Sequence, residues 1–392
     1  MPWKILSALG QRLRFINAAL KPLVSFSALC RSFGISRACG HKWKRRFLKD
    51  GRAGLRPRSR RPRRSPNRTS LRWRLAVQRL RRRYPRWGAK KIRARLHRKF
   101  PRARLPAVRT ITKWLPRLCR MPRRHRRSRR GPFLLWSLLT IPSSPNQVWT
   151  VDFKGCFRTA DGSRCDPLTV RDLFSRFLLA IRVLPNQQFA PARRVFIALF
   201  RRFGLPQIIR VDNGSPFGST GAQGLSRLSV WWRTLGIQVE FIRPGHPQDN
   251  GAHEQMHREL KRDTARPPAA HPQAQQWRSQ RWLLHYNTAR PHEALGDRYP
   301  ADRYHPSRRP YRKPQPITYP RRWFVRKVRH NGQIKWRGRL RSIGEAFVGQ
   351  PVALHQPTPG IWEVRFQDLL LGILHDRDTG GLRPVKRPRS PL

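Results

Sequence analysis

NQVWTVDFKG (residues 146–155) decides the reading of this chain. Successive residues of a strand alternate between faces, so Trp149, Val151 and Phe153 pack one way and Asp152 points the other. A second β-branched run, FGLPQIIRVDNGSPF (203–217), also leads into an acid. There Ile209 and Val211 pack, and Asp212 falls at the strand's carboxyl end, where α/β sheets place ligands. Asn213-Gly214 then allows a sharp turn. A third acid, Glu254, opens a helix in GHPQDNGAHEQMHRELK (245–261), with Asp249 or Asn250 as its cap. Three clustered carboxylates repel one another and raise at least one pKa. Two Mg²⁺ ions reverse that penalty, and they activate both the attacking and the leaving oxygen of an in-line phosphoryl transfer.

The surroundings point to a polyanionic substrate. In 392 residues, Lys+Arg 86 outweigh Asp+Glu 19 to give a formal charge of +67, and nucleic acid is the partner such a surface selects through phosphate contacts. A GC-rich genome would also inflate Arg, but not the placement of the acids. Residues 1–150 hold one acid, Asp50, whereas 151–265 hold ten. Five cysteines without a CxxC pair argue against a disulfide framework. No apolar run reaches membrane-spanning length, which leads us to expect a soluble cytoplasmic, nucleoid-associated protein.

Outward from the acids, the texture divides the chain. Residues 1–50 read as a helix-turn-helix: Leu13, Ile16 and Leu20, then Phe26, Leu29 and Phe33, a turn at Gly34, an N-cap at Ser36, and Cys39, Trp43 and Phe47 every fourth residue. The exposed side of its last helix carries Arg37, His41, Lys42 and Lys44, suited to a major groove. A Pro/Arg linker (51–70) leads to a second helical unit (71–119), whose last helix is predicted to stop early at Pro116. A basic linker (120–146) precedes the α/β core (147–305), which ends with an amphipathic helix marked by Trp277 and Leu284. Residues 320–380 predict a small β-barrel, with a hairpin turn at Asn331-Gly332. On the helix from 250, Glu254, His257, Arg258 and Lys261 are placed on one face, with Met256 and Leu260 inward. Glu254 would hold metal there while the cations grip a DNA strand.

Four stretches in order (the three above and YNTARPHEALGDRYPADRY, 286–304) resemble the integrase-core DDE transposases of bacterial insertion sequences, relatives of retroviral integrases. The resemblance implies an RNase H-like core in which Asp152, Asp212 and Glu254 match the metal-binding triad, with Mg²⁺ (or Mn²⁺ in its place) as cofactor. It further implies helix-turn-helix units on the element's inverted repeats, hydrolysis at the element's ends, attack of the freed 3′-hydroxyl on target DNA, and a homo-multimer that brings two ends together. The 42 positions from Asp212 to Glu254 exceed the commonest family spacing, and GSTGAQG (218–224) reads as the inserted loop.

Three other readings compete. His253-Glu254-Gln255-Met256-His257 satisfies the H-E-x-x-H signature of zinc metalloproteases, but a third ligand is not placed beyond Glu293. A DNA-binding regulator, or a decayed transposase, would keep the core only as scaffold. A simple RNase H-like nuclease would cut without joining.

Overall fold

The structure is a computed structural model that describes residues 7–21, 24–59, 69–118, 139–243 and 251–384. Gly245, His246, Pro247, Asp249 and Asn250, Cys119, and residues 60–68 and 120–138 of the two basic linkers lie outside the described residues. The chain divides into two units at Ser70/Leu71.

The first unit is three helices: α1 (Ala8–Ala19), α2 (Phe26–Ser32) and α3 (Arg37–Gly54). Each start is capped by a serine hydroxyl, that of Ser36 accepting from the Cys39 N–H at 3.2 Å. Gly34 supplies the turn between α2 and α3 at φ +64°. Phe15, Ile16, Cys30 and Leu55 form the core, while Leu20 and Phe33 of the expected stripes stay exposed. Where α3 crosses α1 and α2, a Cβ on Gly40 would stand 2.6 Å from Cys30 Sγ and 3.0 Å from the Phe15 ring. Gly40→Val is therefore expected to cost about 1–3 kcal/mol, read in the full-length protein as lost hydrogen-exchange protection across α1–α3.

The second unit opens with α4 (Leu71–Arg83), α5 (Ala89–Lys99) and α6 (Val108–Leu118), closed around Trp73, Val77, Trp87, Ile92, Ile111 and Leu115. Pro116 does not stop α6, which continues to Leu118. Leu115 anchors that last turn in the core, so packing overrides the local penalty.

Then comes a mixed sheet: β1 (Val148–Phe153), β2 (Phe157–Arg158), β3 (Arg164–Asp172), β4 (Leu178–Leu184), β5 (Ile208–Val211) and β6 (Gln238–Phe241). β3 is antiparallel to β1, β2 and β4, and β1, β5 and β6 run parallel to one another. On one face, α7 (Phe189–Phe203) and α8 (Arg227–Thr234) pack on Trp149, Val151, Ile209 and Val211. The opposite face takes α9 (Gly251–Thr264) and α10 (Pro272–Thr288), which share Leu178, Ile181, Met256, Leu260 and Tyr286.

Helix α10 is turned differently from the sequence expectation. Trp277 and Leu284 are 58% and 62% exposed, and Gln275, Ser279, Tyr286 and Asn287 face in. The reason is the bare edge of β4. Asn287 pairs with both backbone groups of Leu178 at 2.9 Å, and Gln276 accepts from Val183 N and donates to Ile181 O at 2.8 and 2.9 Å. Amide side chains thus satisfy an edge that would otherwise recruit another strand.

The C-terminal β region has six strands: β7 (Phe324–Lys327), β8 (Gln333–Trp336), β9 (Arg339–Ser342), β10 (Pro351–Thr358), β11 (Ile361–Phe366) and β12 (Leu369–His375). Rather than closing into one barrel, they form an antiparallel sheet β12-β11-β10-β7 and a separate β8–β9 ladder over a common core. The hairpin turn sits at Arg337-Gly338 (φ 45° and 75°), not at Asn331-Gly332. There Gly332 donates to Arg329 O at 3.0 Å and the Asn331 side chain accepts from Gln333 N at 3.2 Å, a turn that leads into β8. The 218–224 loop lies against this region: Gln223 donates to Leu370 O at 2.7 Å, and Leu225 joins its core.

Candidate active site

The two aspartates stand side by side for a reason of register. β1 and β5 are parallel, with Val148 opposite Ile208 and Thr150 opposite Arg210, so the same register continued by two residues sets Asp152 beside Asp212. Both follow an alternation whose odd members face α7 and α8, which leaves the even members on the α9 side. Asp152 is mostly buried. Asp212 is half-buried, its Oδ1 accepting from Gly214 N at 3.3 Å, and Asn213 donates to Ile242 O at 2.7 Å to pin the loop to the end of β6. Glu254 sits exposed in the first turn of α9.

Asp152 feels both of the other acids, Asp212 more than Glu254. Burial, then the charge of Asp212, then more weakly Glu254, push the Asp152 carboxyl up to about 7, with Lys154 pulling the other way. Burial also raises Asp212. Lys154 is itself lowered, first by burial and then by Lys261, so a cationic group flanks the acids. Among the described residues, no three His, Cys, Asp or Glu side chains stand close enough to hold a metal ion. The donor set nonetheless fits a hard divalent cation: carboxylate oxygens without thiolate, partly desolvated, and with Lys154 too weak a countercharge to keep the Asp152 pKa from rising.

Under Asp152 lies a hydroxyl–imidazole cluster. Thr169, opposite Asp152 in the ladder, donates its hydroxyl proton to the Asp152 carbonyl at 2.9 Å. The Nε2 atoms of His253 and His257 approach the Thr169 Oγ1 at 2.6 and 2.7 Å. One hydroxyl has one proton, so both rings must present Nε2–H to it. The Nδ1 of His253 then accepts from Thr150 Oγ1 at 3.0 Å, and the bare Nδ1 of His257 faces Asp152 Oδ2 at 3.5 Å. Burial, followed by the fields of Lys154 and Arg171, lowers His257 to about 3, and burial also drives His253 well down. This is a neutral contact, and a lone pair against a carboxylate is a further reason for Asp152 to hold its proton.

That cluster corrects one expected DNA contact. His257 is 5% exposed, and a buried neutral imidazole cannot grip a phosphate, whereas Arg258 and Lys261 are exposed as expected. The same geometry removes the zinc-protease reading, since both histidines turn into the sheet, away from Glu254, with their Nε2 atoms held by Thr169. Sequence reasoning missed Thr169, Thr150 and the structural role of His253. The available signal was His253, Met256, His257 and Leu260 at i, i+3, i+4 and i+7, one buried stripe. Thr169→Val would strand both Nε2–H donors, and is expected to cost about 2–4 kcal/mol in thermal or denaturant unfolding. In the first unit, Arg37, His41 and Lys42 are exposed on α3 and Lys44 is half-exposed, with His41 and Lys44 beside the Phe26 ring at 4.3 and 5.7 Å.

Residues 142–247 and 235–300 each match an Integrase core domain family. Residues 11–63 match a Helix-turn-helix domain, 39–115 a Homeodomain-like domain, and 324–376 the C-terminal domain of the IS481 family transposases. Over 183 residues the chain is 28% identical to the "Insertion element IS407 uncharacterized 31.7 kDa protein" of Burkholderia multivorans, covering 46% of this chain and 62% of that one. The "Insertion element IS476 uncharacterized 39.2 kDa protein" of Xanthomonas euvesicatoria is 30% identical over 182 residues, covering 45% and 50%. The matched stretch thus spans between half and two thirds of these relatives. Among solved structures, the HTLV-2 integrase catalytic core domain in complex with magnesium is similar at 15% identity and TM-score 0.31, over 42% of this chain and 99% of that one.

The chain is a helix-turn-helix protein with an RNase H-like integrase core. Its core matches integrase core domains and its C-terminal region an insertion-sequence transposase domain, so the chain is similar to the DDE transposases of bacterial insertion sequences. No described helix is long and apolar enough to cross a membrane.

Proposed function

We propose that this protein is the transposase of an insertion sequence, which binds the element's terminal inverted repeats, cleaves at the element's ends and joins the freed 3′-hydroxyl to target DNA. The observation that carries this reading is the pairing of Asp152 with Asp212 on adjacent parallel strands, with Glu254 acting on Asp152 from α9. Asp152, Asp212 and Glu254 would hold two Mg²⁺ ions, or Mn²⁺ in their place. Bound there, the ions would supply Lewis-acid activation of the attacking oxygen and neutralise the leaving one.

The rest falls to the chain. Asp152 would give up its proton to hold a cation, and the Thr169 cluster fixes the end of β1 on which that carboxylate stands. Arg258 and Lys261 take neighbouring phosphates along α9. In the first unit, Arg37, His41, Lys42 and Lys44 line the α3 side for the major groove. The domain order we propose is helix-turn-helix (1–50, carried on by the end of α3 and the buried Leu55), the remainder of the 51–70 linker, second helical unit (71–119), linker (120–146), catalytic core (147–305) and β domain (320–380). Two DNA ends demand a homo-multimer assembled on DNA, with the protein at the bacterial nucleoid.

The test is a strand-joining assay on the element's own flanking ends, with and without Mg²⁺. Joined products that require the metal are expected. Cleaved strands that never join would make the protein a nuclease, and binding indifferent to Mg²⁺ with no product would make it a regulator.

A further inference from the structure

Away from the acids, a crevice of about 320 Å³ opens between the α4–α5 turn and the outer sides of α9 and α10. Both walls carry aromatic rings. Tyr84 stacks on Trp87 at 4.1 Å and on His285 at 4.8 Å, and Trp282 stacks on Tyr286 at 5.1 Å. Arg83 and Arg86 from the turn, Lys91 from α5 and Arg262 from α9 add positive charge, against Glu259 and Asp263. Arg290 is buried in an ion pair with Glu259, and Asp263 accepts from Trp282 Nε1 at 3.2 Å and lies 3.7 Å from Arg86. The acids therefore orient the cations and a ring, and the crevice keeps a net positive charge.

A joint that only glued the helical unit to the core would close this gap and pair its polar atoms. Neither holds here. Nε2 of His285 and Nε of Arg290 are buried without a hydrogen-bond partner. His285 is kept neutral by burial and by the fields of Arg95 and Arg83, so it can meet a ligand by hydrogen bonding rather than by charge. The volume is at the small end of ligand sites, too small for a duplex and suited to one nucleotide. Stacking faces edged by arginine are how proteins hold an unstacked base and its phosphate. The place is apt as well. Residues 259–263 lie five to nine positions along α9 from Glu254, about 8–14 Å at the helical rise, or about two to four nucleotides of B-form strand.

We infer that this crevice receives a single unpaired nucleotide of the DNA, extruded near the end on which the acids act. The inference rests on the DNA-joining function proposed above. It is tested by comparing the affinity of the full-length protein for a blunt end duplex with that for the same duplex carrying one unpaired 2-aminopurine a few nucleotides from the terminus. The unpaired substrate is expected to bind at least roughly five-fold tighter, with 2-aminopurine emission quenched on binding. Trp282→Ala should lose both the preference and the quenching while still binding blunt duplex, and Trp282→Phe should keep the preference. Equal affinity for the two duplexes in wild type, or a preference that survives Trp282→Ala, overturns the inference and leaves the proposed function standing. Failure to bind either duplex overturns both.

Discussion

Asp152→Asn is expected to abolish strand joining, by about three orders of magnitude or more, while leaving the metal-free fold more stable than wild type at pH 8. The two halves of this prediction have one cause. Asp152 is held against burial and against the charges of Asp212 and Glu254, which raises its carboxyl to about 7 from an ordinary 3.8. An acid whose pKa is raised by folding contributes stability below its unfolded pKa and loses that contribution as pH rises through the folded one. At pH 8 the wild-type protein therefore carries the full penalty of an ionised Asp152. Asparagine carries none, and its amide can donate to the bare Nδ1 of His257. The gain, discounted for the partial exposure of Asp152, is on the order of 1–3 kcal/mol. Joining assays and urea unfolding at pH 8 check the two halves. A variant that is inactive only because it is unfolded would contradict the account.

The second large effect is the pH dependence of Mg²⁺ stabilisation. A bound cation makes the ionised form of Asp152 favourable and displaces its proton, so metal and proton compete. Between pH 4 and 7 the metal-free protein still holds that proton while the unfolded chain has released it, so its stability falls through this window and Mg²⁺ has to displace the proton. At pH 8 the carboxylate is already bare and repelled by its neighbours. The upward shift of Tm on adding Mg²⁺ should therefore be larger at pH 8 than at pH 5.5, by several degrees for a stabilisation of about 1–2 kcal/mol. Titration calorimetry near pH 6.5, in buffers of different ionisation enthalpy, should show proton release on binding. A Tm shift independent of pH, or one kept in full by Asp152→Asn, would place the metal elsewhere.

The strands that carry the acids were legible because a period of two is unambiguous when Trp149, Val151 and Phe153 or Ile209 and Val211 supply the buried side. Strand pairing was not, since it is register between β1 and β5, not any local pattern, that sets Asp152 beside Asp212. The inward face of α9 was half legible. Met256 and Leu260 announced it, but two polar imidazoles on the same stripe read as surface until Thr169 and Thr150 were seen to satisfy them. Helix α10 misled for a related reason. Its buried side is chosen by the hydrogen-bonding needs of the β4 edge, which Gln276 and Asn287 meet, so the hydrophobic period of Trp277 and Leu284 marks the solvent face. In the C-terminal region the Asn-Gly signal was a true turn in the wrong role, because Arg337-Gly338 already joins β8 to β9.

The most direct measurement is anomalous diffraction from crystals of the protein soaked in Mn²⁺. A peak is expected between Asp152 and Asp212, about 2.2 Å from a carboxylate oxygen of each, with Glu254 swung in to complete the shell. A manganese peak on His253 and His257, or crystals in which Asp152 and Asp212 bind no ion at saturating Mn²⁺, would contradict it.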